Sequence, residues 1–205
     1  AGLRPELLDD ARAALEWLAA PRYWAQFGRA VADAAIGAPW ANAALVLALG
    51  AFAWLAPRLR TRIAALGEEA RRTQCTSFAP TAEALLLSLG LVPWVPGAVA
   101  FVAFRAGVDP GATLFARCLA GGVLSAAVVW ITLAVPRQIF RPEGIAVAHL
   151  GWPASAAARL RRALGRLAWI AIPAVLLVEV FERRGEDAWK ESVGRLGFVG
   201  LLLAV

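Results

Sequence analysis

Residues 140–153 read FRPEGIAVAHLGWP and hold the only histidine of the chain, His149. A lone imidazole can carry a proton or sense pH, but metal binding or nucleophilic catalysis needs partner groups. The sequence does not supply them at a recognisable spacing. Cys75 and Cys118 have no histidine or second cysteine at metal-ligand spacing. No glycine loop is built to cradle phosphate. Neither enzyme chemistry nor a cofactor or metal is therefore expected. The remaining candidates are Arg117 and Glu179, two charges lying inside apolar runs. At matching depth they would form an interhelical ion pair; a proton or substrate relay is the functional alternative, although no further acid or histidine extends it.

The elements that must carry these residues are greasy. Hydrophobic residues make up 60% of the 205-residue chain, against roughly 45–50% in ordinary soluble domains. ANAALVLALGAFAWLA (41–56) has no charge, and ATLFARCLAGGVLSAAVVWITLAV (112–135) has only Arg117. A bilayer core takes about 20 apolar residues per helix. The expected class is all-α, a multi-span transmembrane helical bundle with amphipathic N-terminal helices. Four complete spans are placed at about 38–56, 83–104, 112–135 and 164–181, and a fifth begins near 196 and runs to 205. The opening AGLRPELLDD does not resemble a signal peptide, and the chain ends within an apolar run, so it is expected to be part of a longer polypeptide.

Arginine placement sets the expected orientation. The 57–82 connection holds Arg58, Arg60, Arg62, Arg71 and Arg72, and the 136–166 connection holds Arg137, Arg141, Arg159, Arg161, Arg162 and Arg166. Both should face the cytoplasm, which leaves the N-terminus outside. The net charge of +6 sits at span ends rather than in a separate basic domain. It points to anionic headgroups, at about 1 kcal/mol per residue near the surface, and not to nucleic acid. Glu83, at the inner end of the second span, is expected to snorkel.

Residues 1–37 differ in kind. Leu7, Leu8, Ala11, Leu15 and Leu18 follow a helical stripe, and a second short segment carries Tyr23, Trp24 and Phe27. Two readings stand: amphipathic helices lying on the outer face, or a helical pair packed on other protein. Trp40, at the entry to the first span, and Trp152 are expected at the lipid interface. In the second span VPWVP (92–96) should kink or break the helix at Pro93 and Pro96, since each proline removes a backbone donor. In the third, Gly121, Gly122, Ser125 and Ala126 offer small faces for a close helix neighbour.

The histidine segment falls between the third and fourth spans. Pro142 can open a helical turn, while Gly151 and Pro153 force a change of direction. Beyond it, Arg159, Arg162 and Arg166 recur at helical spacing as a stripe for the headgroup layer. His149 is read as an interfacial polar residue, with pH sensing as the alternative. The segment is architecture rather than chemistry.

SFAPTAEALLLSLGLVPW (77–94), FRPEGIAVAHLGWP (140–153) and ESVGRLGFV (191–199) resemble the inner-membrane domain of large MscS-like mechanosensitive channels, in particular the potassium-dependent MscK branch (also called KefA). The corner motif that carries the resemblance consists of Arg141, Pro142, Gly144, His149, Trp152 and Pro153. The resemblance implies a bacterial inner-membrane, multi-pass protein with a periplasmic N-terminus, surrounded by membrane lipids and assembled as a homo-heptamer. It implies solute release on hypo-osmotic shock, with the pore helix and cytoplasmic domain lying elsewhere in the polypeptide. This part would be the peripheral, tension-coupling paddle. A secondary-transporter fragment, using the break at Pro93/Pro96 and an Arg117–Glu179 pair, is the rival reading.

Overall fold

The computed structural model describes residues 5–70, 77–142 and 144–185. Cys75, Arg71, Arg72, Glu143 and the expected fifth span lie outside them. Among the described residues the fold is all-α. The helices are α1 (Pro5–Ala19), α2 (Pro21–Gly37), α3 (Pro39–Ala70), α4 (Ala79–Gly90), α5 (Trp94–Val108), α6 (Leu114–Ile139), α7 (Ile145–Ala148) and α8 (Ala154–Arg184). Among the described residues four stretches are long and apolar enough to cross a membrane: Pro39–Ala70, Ala79–Val108, Leu114–Ile139 and Ala154–Arg184. Val46, Leu47 and Trp54 of α3 are exposed, as a lipid-facing side requires.

The helix ends depart from the sequence expectation, mostly by extension at the ends of the spans, although α6 starts two residues later than expected, at Leu114. α3 runs past Ala56 through Pro57 to Ala70. It continues because Ile63 and Leu66 find apolar partners, Ile63 near Leu91 and Leu87, and Leu66 against Ala84 and Ile145. α8 begins at Ala154, so the arginine stripe and the fourth span share one continuous helix. In the second span the break is real but shorter than two prolines suggest. α4 stops at Gly90 and α5 starts at Trp94. Pro93 stands at the break, whereas Pro96 lies in the first turn of α5, where a missing N–H has no intrahelical acceptor to lose.

The chain divides into two compact units. The first holds the described residues of 1–42, 97–129 and 169–205, and the second those of 43–96 and 130–168. The core of the first is aromatic. Phe115 of α6 stacks on Tyr23 at 5.5 Å and meets Trp17 and Trp24 edge-on at 5.1 and 5.6 Å. Phe181 and Val180 of α8 are fully buried beside Trp17 and Leu18. The aromatic faces of α1 and α2 are thus packed on α6 and α8. The stripe also shifts: Ala14, Trp17 and Leu18 face this core, while Leu15 is 55% exposed.

Glycine closes the same unit. A Cβ on Gly122 would lie 2.6 Å from Val180 Cγ2 and 2.8 Å from the Leu176 carbonyl, so α8 approaches α6 only because that side chain is missing. Gly121 is covered by the Arg183 side chain. On α5, Gly107 faces Ala120 in the same way.

Candidate functional site

The second unit contains the α6–α8 corner, which its sequence determines almost residue by residue. α6 ends at Ile139, and the chain turns back with Gly144 N donating to Arg141 O at 2.9 Å. Gly144 is buried, and a Cβ there would come within 2.6 Å of the Ile139 carbonyl and 2.8 Å of that of Gln138. Contact, not backbone angle, makes glycine necessary here. The short α7 then brings Ala148 N to Gly144 O and His149 N to Ile145 O, both at 2.9 Å. Gly151 takes φ +65°, in the left-handed region that favours glycine, and Trp152 N returns to Ala146 O at 2.9 Å. The Trp152 ring packs on Phe140 at 5.4 Å, and Pro153 O accepts from Ala156 N and Ala157 N of α8 at 3.0 and 3.1 Å.

His149 is half-buried and shares a 2.9 Å hydrogen bond between Nδ1 and Thr81 Oγ1 of α4. This contact ties the corner to the second span. Sequence alone does not single out Thr81, because a hydroxyl at a span entrance looks like a helix-start residue. Close by, Arg62 holds Glu83 with two hydrogen bonds, Nε–Oε1 at 2.8 Å and Nη2–Oε2 at 3.1 Å. Glu83 therefore pairs across to α3 as well as reaching outward. Arg141 Nη1 donates to Gln138 Oε1 at 3.1 Å, and Pro142 is exposed.

Arg159, Arg162 and Arg166 are all exposed and line one shallow groove along α8. Around the corner, a second cavity of about 520 Å³ brings Arg162 together with Arg137 and Arg161. In the sequence those last two are legible only as loop charges, since their convergence needs the fold. Trp40 is 75% exposed on α3.

The Arg117–Glu179 pair does not form. Arg117 Nε donates to the Ala112 carbonyl at 3.2 Å, and Glu179 takes its partner from its own helix, Arg183 at 3.3 Å. Equal depth along two spans does not fix rotation about their axes. Each group is satisfied locally at lower conformational cost. The transporter reading loses the pair on which it leaned.

Residues 39–205 match the protein family described as mechanosensitive ion channel inner membrane domain 1. The chain belongs to this family. Among curated proteins and solved structures nothing matches it. The match begins at the start of α3, well before the motifs that carried the sequence resemblance, and so takes in all four apolar spans. This mechanosensitive channel domain is therefore a multi-pass membrane protein of an ion-channel family. Its corner is a structural element of that domain. Among the described residues no group of histidine, cysteine or carboxylate side chains could hold a metal ion.

Proposed function

We propose that this channel domain is the peripheral, tension-coupling part of a bacterial mechanosensitive channel that releases solutes on hypo-osmotic shock. In this reading it lies in the inner membrane with its N-terminus in the periplasm, beside rather than around the pore. It works within a homo-oligomer, a heptamer by likeness to the large MscS-like channels. The observation that supports the reading most directly is the interrupted second span. A span broken at Leu91–Pro93 consists of two short rods joined by a turn, and thinning of the bilayer changes the mismatch of each rod separately. Tension shifts a closed–open equilibrium only through such a difference between two arrangements.

The arginine groove on α8 is the proposed handle by which the headgroup layer grips the domain. Replacing Arg159, Arg162 and Arg166 together by Gln in the full-length channel should move the tension threshold measured in excised membrane patches. A threshold equal to that of the unaltered channel would refute the coupling role.

A further inference from the structure

The cavity at the α6–α8 corner shares Arg162 with the open arginine groove but is otherwise lined by different residues. Its charged wall is made by Arg137, Arg161 and Arg162, and its apolar wall by Phe140, Pro142 and Ala157. None of the three arginines has a carboxylate partner among the described residues. Arg137 Nε is buried and has no hydrogen-bond partner there either. A buried guanidinium nitrogen is normally hydrogen-bonded, and three cations around one cavity repel each other unless an anion joins them. Ala154, the first residue of the 31-residue α8, also lines the cavity, so the positive end of that helix adds to the same field.

We propose that this cavity binds the phosphate headgroup of one anionic phospholipid. The phosphate oxygens would accept from Arg137, Arg161 and Arg162, and the start of an acyl chain would lie along Phe140 and Pro142. Guanidinium forks suit phosphate oxygens, and the apolar wall selects an amphiphile over a free ion. A volume of about 520 Å³ is within the usual range for ligand pockets and larger than inorganic phosphate needs. Gly165 also lines the cavity beside Arg137, whose Nη2 lies 3.7 Å from where a Cβ would stand, an ordinary contact distance. The cavity shares Arg162 with the headgroup stripe, but Arg159 and Arg166 do not line it, and Arg137 and Arg161 do not line the groove.

The test uses the full chain in detergent, with lipid retention read by native mass spectrometry against phosphatidylglycerol, phosphatidylcholine and inorganic phosphate. The unaltered protein should retain one phosphatidylglycerol in preference to phosphatidylcholine. Arg137→Gln/Arg161→Gln should weaken that retention by about tenfold or more. Arg137→Lys/Arg161→Lys should restore most of it. Ala158→Trp, an exposed position on the cavity wall, leaves every charge in place and should block binding by filling the space. Arg22→Gln/Arg58→Gln removes equal charge elsewhere and should change nothing. Retention unchanged in the first double variant, or lost equally in the last, would overturn the proposal. So would displacement of the lipid by millimolar inorganic phosphate, which would make the ligand a free ion. No tension is applied, so failure here is separable from failure of the tension-coupling reading.

Discussion

Each of the two units of this domain is stabilised internally, and by opposite means. The first relies on large rings: Trp17, Tyr23, Trp24, Phe115 and Phe181 fill the space between α1, α2, α6 and α8. The second relies on backbone economy and polar ties, with Gly144 and Gly151 shaping the corner, Thr81 joined to His149, and Arg62 joined to Glu83. A unit built on rings is sensitive to what is removed. A unit built on close backbone turns is sensitive to what is added.

That contrast can be broken by substitution, and the largest effect should come from the rings. Phe115→Ala deletes a side chain only 2% exposed and in contact with three other rings. It should cost about 3–5 kcal/mol, seen as a strong fall in Tm of the detergent-solubilised protein by circular dichroism. An unshifted Tm would mean that α1 and α2 do not depend on this ring. Next come added methyls. Gly144→Ala in the corner and Gly122→Ala on α6 each place a Cβ under 3 Å from fixed atoms, and each should cost about 1–3 kcal/mol in the same melt. Gly50→Ala on α3, with open space around it, is the matched control and should leave Tm unchanged or raised.

Smaller effects sharpen the picture. Gly151→Ala keeps its space but must hold φ at +65°, a loss of about 1–2 kcal/mol. Loss of the corner turn alone would also free the Trp152 indole from Phe140, detectable as a change in near-ultraviolet dichroism. Glu83→Gln should be the mildest. Its pair with Arg62 is 54% and 44% exposed, so no resolvable shift in Tm is expected at physiological salt. A clear drop would show that the pair works in a drier setting than its exposure indicates.

Much of the fold was legible because membrane spans announce themselves by length and polarity. The four apolar stretches, the small face at Gly121 and Gly122, and the break at Pro93 could all be read from local composition. What could not be read depended on rotation and partnership. Leu15 and Trp17 lie two residues apart on α1, yet only Trp17 turns inward, because Phe115 and Phe181 provide its partners. Arg117 and Glu179 were paired by depth and are in fact satisfied within their own segments. Arg137 and Arg161, separated by a whole corner in sequence, share a cavity that no spacing rule could foresee. Helix ends failed for a related reason: polar connections such as 57–70 stay helical when a few of their residues find apolar neighbours.

The continuation of α3 through Pro57 has a mechanical consequence. Its 32 residues make a rod of about 48 Å, against a hydrocarbon layer of about 30 Å. Standing upright from Pro39, more than a third of the rod clears the oily layer, carrying Arg60 and Arg62 with it. A swing of about five degrees pivoting at Pro39 would carry the far end sideways by roughly 4 Å, so a slight lean becomes a sizeable stroke at Ala70.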